Sequence, residues 1–251
     1  MLNAGKHDVP DGWSQFWGVP GAGFNDGELR PWVVNEFLKE ASATGQRDPR
    51  LAATAFYNRF DQSRFSSVLP VDGDRGVYGG GNFEVRYASN ARNLGRVYYR
   101  KYATDYYRNF EDFDSPINQR VMRFADVLPM QAEALNEQGQ SAQAIPLINR
   151  VRVRSDMPAL AVADFNQGSR RTQLMHERVT ELTGEGTRWF DLKRYDVFAT
   201  PASLSALMAR NPNFVNFKTG KSKLLPLPQA EVDLAKLSQN GGYQRRPGSS
   251  A

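Results

Sequence analysis

Apolar residues recur three or four positions apart in three stretches of the chain's second half, the spacing that lines one face of a helix. Val121, Phe124, Leu128, Ala132 and Leu135 make one buried stripe, and Gly139 supplies the flexible stop after it. Ala144, Ile145, Ile148 and Val151 make a second, which starts just beyond Ser141, a residue type that caps helices. A third stripe, Leu174, Met175, Val179 and Leu182, predicts a helix over roughly 170–183. It breaks near Gly184 to Gly186 and resumes through Trp189, Phe190 and Leu192.

The first two helices are joined by so short a turn that they must pack antiparallel, as in one tetratricopeptide-type unit. One such unit cannot cover its own apolar face, so other elements must pack on it. Pro129 and Pro146 fall inside the pair. Each removes a backbone hydrogen bond and favours a kink, at a cost of about 3 kcal/mol if uncompensated.

The first half reads differently. Gly, Pro and Trp punctuate residues 1–35 too often for regular structure, as in Asp11-Gly-Trp13 and Trp17-Gly-Val-Pro20, which predicts ordered loops. Pro31 with Trp32, Val33, Phe37 and Leu38 suits a short amphipathic helix to about Ala41. After Asp48-Pro-Arg-Leu51, the positions of Leu51, Ala55 and Phe56 fit a helix or a strand equally. Residues 61–93 read as loop, and the tyrosine-rich run through Tyr107 as an irregular or extended connection. Near the end, Leu224-Leu-Pro-Leu-Pro228 is extended, because proline restricts both itself and its predecessor, and Gln229 to Leu237 predicts a last short helix.

Composition narrows the chemistry. At 251 residues, 40% hydrophobic and 24% charged, the chain has the balance of an ordinary globular protein. It has no apolar run of the length a membrane span requires, and its first thirty residues lack the pattern of a signal peptide. The absence of cysteine removes disulfides, thiolate metal sites, cysteine nucleophiles and a lipidated cysteine. With His7 and His176 as the two histidines, neither a histidine-rich metal site nor a histidine acid-base pair is expected. The net charge of +5 comes mainly from arginine, but the positives are scattered beside Asp and Glu, which predicts a solvated, ion-paired surface. The Tyr- and Arg-rich segment 86–108 has the mixture that stacks bases, yet it lacks a recognisable nucleic-acid module, so no nucleic-acid partner is expected.

Glu177, Glu181, Glu185 and Asp191 invite comparison with glycosidase carboxylates. Arg178, Arg188 and Arg194 are interleaved with them, however, and arginine lowers the pKa of a paired carboxylate, the wrong direction for a general acid. These acids are therefore read as structural ion pairs. Asp126 and Glu133, with Arg123 three residues before Asp126, are read likewise as helix-surface or interhelical salt bridges. His176 is expected on a charged, solvated helical face or as a cap.

Several segments resemble, in order, the SusD/RagB family: Asp48-Pro-Arg-Leu51, Arg123-Phe-Ala-Asp-Val-Leu128 with Ala132-Glu-Ala-Leu-Asn-Glu137, Ile148-Asn-Arg-Val-Arg152, Glu177 to Arg194, Leu224 to Pro228, and Gln239-Asn-Gly-Gly-Tyr243. Pro129, Gln131 and Gly241 depart from the usual pattern. The resemblance is to the C-terminal half of that family, so it implies a fragment or truncated reading frame lacking the N-terminal half and its lipidation site. It implies a mainly α, SusD-like fold with a tetratricopeptide-like helix pair and long irregular loops. Residues 1–118 would form the loop-rich, ligand-facing region and 119–251 the helical C-terminal region. It further implies an outer-membrane, cell-surface lipoprotein that binds a glycan or other nutrient without catalysis, needs no cofactor, and delivers its ligand to a TonB-dependent transporter. Membrane attachment would be through a lipid anchor absent from this chain. In the resembling family, ligand sites are built from aromatic loops. Trp13, Phe16 and Trp17 lie in a Gly/Pro-rich segment with no period to bury them, and flat rings suit the apolar faces of sugars. They are the expected stacking surface, with Asn25 or Asn82 as polar contacts. The competing reading is that these rings pack the loop onto the scaffold. The alternative function is a helical-repeat module that binds protein rather than sugar, and a glycoside hydrolase ranks third.

Overall fold

The computed structural model describes residues 13–65, 76–111 and 117–243, Trp13 by its backbone alone. Two compact units emerge, Met1–Arg188 and Trp189–Ala251. In the first, α1 (Trp13–Trp17) is followed by α2 (Pro31–Phe37), α3 (Pro49–Thr54) and β1 (Ala55–Phe56). Two short helices, α4 (Phe83–Arg86) and α5 (Ala91–Leu94), precede β2 (Tyr98–Tyr99). Then come the long helices α6 (Phe124–Glu137), α7 (Ser141–Arg154) and α8 (Gln167–Leu182), and α9 (Arg188–Arg194) starts at the unit boundary. The expected long helices, their stops and the short helix from Pro31 are all present. The segment after Asp48 is both of the structures its pattern allowed, a helix that turns directly into a strand. That strand pairs antiparallel with the tyrosine run, Ala55 opposite Tyr99 and Phe56 opposite Tyr98. The loop expectation for residues 1–35 and 61–93 gives way to short helices at α1, α4 and α5. Asn82 and Asn90 cap the latter two with side-chain oxygens, a device too local to leave a hydrophobic period.

α6 and α7 form the antiparallel pair around Gly139, whose φ of +76° is the left-handed turn that glycine adopts without strain. Both helices continue through Pro129 and Pro146. Their seam buries Ala132, Ala144, Ile145 and Ile148 against Leu174 of α8. The upstream end of the predicted α6 stripe is not buried. Val121 precedes the helix and is 88% exposed, and Phe124 at its first position is 61% exposed. Buried Asn136 instead closes the far end, donating to the Gln167 carbonyl while Gln167 donates back to the Asn136 carbonyl.

α8 is the helix on which the first unit is assembled. A capping box between Asn166 and Ser169 starts it, and Gly184 and Gly186, both at positive φ, follow its end. Leu174 serves the α6/α7 core, whereas Val179 joins a second core with Val33, Val34 and Phe37 of α2, Leu51 of α3 and Val97. A third core gathers Phe56, Tyr78, Phe83, Tyr87 and Tyr98. Most of the tyrosine-rich segment is thus structural: Tyr87, Tyr98 and Tyr102 are buried, while Tyr106 and Tyr107 are exposed.

The second unit is built around rings. α10 (Pro201–Arg210) is capped by Thr200, whose hydroxyl accepts from the Ser203 amide. Phe198 stacks on Phe217 at 4.3 Å and packs near Trp189 and Phe214, with Leu192, Leu204 and Leu207 beneath. The extended Leu224–Pro228 run is held by Gln239, which accepts from the Leu227 amide and donates to its carbonyl. α11 (Gln229–Ala235) follows.

His176, Glu177, Arg178 and Glu181 on α8 face inward. Glu177, 1% exposed, accepts from Arg50 of α3 at 3.1 Å and from Arg152 of α7. Glu181 accepts from Arg123 at 2.9 Å and Arg154 at 2.7 Å. Glu185 accepts from Arg123 at 2.7 Å and lies 2.5 Å from the Lys101 ammonium. Arg178 reaches Asp126 of α6 at 2.7 Å. The structural ion-pair reading of these acids holds, but their partners come chiefly from distant segments rather than from the interleaved arginines. His176 is a correction: it is buried, with Nδ1 2.9 Å from Glu36 of α2. The Asp48-Pro-Arg-Leu51 motif becomes intelligible here. Asp48 caps α3 and grips the Arg50 guanidinium, Pro49 sits in the first turn, Arg50 enters the charge network and Leu51 enters the core.

Three outcomes test this scaffold. Leu174→Ala should cost about 2–5 kcal/mol in denaturant unfolding, since it opens a void where three long helices meet. Glu177→Ala should cost about 3–5 kcal/mol because it removes the carboxylate shared by two guanidinium groups held away from water. Stability should also fall in acid. Burial alone would raise the Glu36 carboxyl, but hydrogen bonds from His176 and Lys39 outweigh it and hold the pKa at about 2 against an ordinary 4.5. A depressed carboxyl adds stability that is fully present above the unfolded value and vanishes as pH falls through the folded one. Unfolding free energy should therefore drop between pH 4.5 and 2, and Glu36→Gln should flatten that slope.

Candidate functional site

The first unit carries two features near its start, a partly exposed pair of rings and a polar cavity. α1 is tied back by the strand-like run after Pro20: the Phe24 amide donates to the Gln15 carbonyl, and the Asp26 amide to that of Phe16. This pairing sets Phe16 and Phe24 edge to face, their centroids 6.1 Å apart. Both remain solvent-facing, 45% and 48% exposed. Each ring thus keeps about half of its surface toward solvent.

Asn25 follows at a φ of +48°, a conformation that asparagine tolerates better than most residues. It lines a cavity of about 420 Å³ with Asp26, Glu28, Arg30, Arg64 and Arg96. The floor is main chain, because Leu29 donates to the Val97 carbonyl and Glu28 bridges to Tyr98. Glu28 pairs with Arg96 at one wall, and Arg64 donates to the Gly95 carbonyl at another. Convergent carboxylate, guanidinium and amide groups can meet a polyhydroxylated ligand with both donors and acceptors.

The other predicted residues take different positions. Trp17 is half-buried, with its ring 4.6 Å from Tyr99 and 6.1 Å from Tyr102. Gly27 is obligatory beneath it, since a Cβ there would lie 2.0 Å from the indole. Tyr102 continues the chain of contacts by donating to the Gly184 carbonyl at the end of α8. Burial pushes the Tyr99 hydroxyl up to about 12, so it stays protonated. Trp17 thus has the geometry of the competing, loop-packing reading. Asn82 accepts from the Val85 amide as the cap of α4 and is not among the residues that line the cavity. Trp13 opens α1, and its side chain lies outside the described residues. Phe24 escaped the sequence reading because its neighbour Phe16 is eight residues away, and only the backbone pairing of 15–16 with 24–26 joins them.

Catalytic and metal chemistry can be weighed against the same geometry. Burial favours a raised Glu185 pKa, but hydrogen bonds from Arg123 and Lys101 outweigh it and hold the carboxyl below its ordinary range, which suits an ion pair rather than a proton donor. Glu40, His176 and Glu177 converge closely enough to suggest a cation site. The Arg152 guanidinium, 2.7 Å from Glu40 and bonded to Glu177, already supplies the positive charge there.

Among the described residues no helix is long and apolar enough to cross a membrane. The fold is shared with solved structures of the SusD superfamily. One from Bacteroides vulgatus superposes with a TM-score of 0.66 at 21% identity, covering 88% of this chain and 45% of that one. A SusD-like protein from Bacteroides fragilis gives 0.63 at 17% identity, covering 95% and 53%. In sequence, SusD-like protein P2 of Formosa agariphila is 31% identical over 154 residues, 59% of this chain, and SusD-like protein P38 of the same organism is 37% identical over 81. The chain spans 26% of the length of the first and 16% of the second. The SusD family model itself matches residues 9–243, nearly the whole sequence including the loop-rich first half, and the chain therefore belongs to the SusD family.

Proposed function

We propose that this chain contributes to non-catalytic capture of a glycan or similar nutrient at the outer-membrane surface, for delivery to a TonB-dependent transporter. Family membership supports the general role, surface location and transporter partnership. The observations that carry the ligand class are the partly exposed Phe16–Phe24 pair and the polar cavity lined by Asn25, the residue after Phe24. Sugar rings present apolar C–H faces to flat aromatic surfaces and hydroxyls to a polar rim. Phe16 and Phe24 form the stacking ledge, and Asn25 with its charged neighbours takes the hydroxyls. Trp13 belongs to the same proposal through its place at the head of α1. Trp17 holds that helix against Tyr99 and Tyr102, and Asn82 shapes the loop by capping α4.

A glycan array with the folded chain should identify a binding oligosaccharide. Phe16→Ala or Phe24→Ala should weaken that binding at least about fivefold, roughly 1 kcal/mol, with little change in melting temperature. Trp17→Ala should instead lower the melting temperature. A folded chain that binds no sugar would favour the protein-interaction alternative, for which the exposed Val121, Met122, Phe124 and Val153 at the ends of the α6/α7 pair are the supporting observation. Incubation with bound polysaccharide should release no reducing ends; release that Glu181→Gln abolishes would reverse the non-catalytic assignment.

A further inference from the structure

A second cavity, of about 260 Å³, opens over the charged side of α8 and is lined by Arg50, Lys101, Arg120, Arg123 and Arg154, with Glu181 as the acidic group in its wall. Behind that wall, Asp48 and Glu177 are engaged by Arg50, and Glu185 by Arg123 and Lys101. Glu177 is also shared with Arg152, which draws on Glu40 as well. Six cations thus meet five acids, and the surplus is concentrated at the opening.

The donors are unequally satisfied. Arg50 and Arg123 have their guanidinium groups occupied by carboxylates and carbonyls. Arg154 donates through one nitrogen to Glu181 and is otherwise half-exposed. Arg120 has no carboxylate partner among the described residues. It lies over the Tyr102 ring, and its Nη1 is shielded from solvent without a hydrogen-bond acceptor. A buried cationic donor left unmatched is costly, and its natural complement is an anionic oxygen. Burial, with Arg123 nearby, also keeps the Lys101 ammonium below its ordinary value even though Glu185 is 2.5 Å away.

We propose that this cavity is a binding site for a small oxyanion group, a carboxylate, sulfate or phosphate, received by Arg120 and Arg154 with Lys101 at its side. The site is separate from the ring pair and cavity at Asn25, and the inference does not rest on glycan capture there. The oxyanion is either free or carried on a sugar, and the two sources share the same recognition chemistry.

Isothermal titration of the full chain at constant ionic strength, with inorganic phosphate, glucuronate and uncharged glucose as probes, tests the proposal. Saturable binding of phosphate or glucuronate, absent for glucose, is expected. Arg120→Gln should weaken it at least about tenfold, the scale of one lost charge-assisted hydrogen bond. Arg154→Gln, at a half-exposed position that tolerates substitution, should weaken it in the same direction and covers the case in which the Arg120 variant does not fold. Tighter binding of glucuronate assigns the group to a sugar, and tighter binding of phosphate to a free anion. No saturable binding at millimolar concentrations, or binding unchanged in a folded Arg120→Gln or Arg154→Gln chain, would overturn the site. Phe16→Ala should leave the anion isotherm unchanged, so failure of the sugar surface and failure of this site are distinguishable.

Discussion

The carboxylate of Glu177 is the constraint around which the first unit is organised. It is almost entirely removed from water, and a lone ion in that setting costs several kcal/mol even after relaxation. Arg50 and Arg152 remove most of that cost, one from 127 residues away in the sequence and the other from 25. Each arginine is itself anchored: Arg50 by Asp48, which also starts α3, and Arg152 by Glu40 and the Pro158 carbonyl. The charges therefore set the register of α3, α7 and α8 together. Apolar contacts give these helices their adhesion, but such contacts tolerate small slips, whereas bidentate and buried ion pairs do not.

Much of the architecture was legible because a helix of three or more turns imprints its period on the sequence. α6, α7 and α8 announce themselves through their stripes, and the glycines after α6 and α8 mark the stops of those two. The same logic explains the failures. A four-residue helix such as α4 or α5 has no period to display, and its existence rests on one asparagine cap. Val121 and Phe124 continue the α6 stripe yet stay exposed, because periodicity reports which face would be apolar and not whether anything covers it. His176 sits amid charged residues, which suggested solvent, but it is buried with Nδ1 paired to Glu36 from another helix.

Ion pairing between segments leaves still less trace in the sequence. That the acids of α8 are structural could be read from the arginine content around them. Their actual partners could not, since Arg50, Arg123, Arg152 and Arg154 are brought to them only by the fold. The surface near α1 follows the same division. Asn25 and Phe16 were singled out by residue type in a segment without a period, and Asn25 lines the cavity while Phe16 is partly exposed. The pairing of Phe16 with Phe24, and the wedging of Trp17 over Gly27, depend on backbone bonds between residues 15–16 and 24–26 that no local pattern encodes.

The Trp17–Gly27 contact divides neighbouring positions into two classes. The indole takes up the volume any larger residue at 27 would need, so those two positions can vary only in concert, as a key and its slot. Phe16 and Phe24 are bound by no such reciprocity, although they lie one and three residues from that pair. The outward rings can therefore be exchanged while the wedge behind them stays the same, without disturbing the frame that displays them.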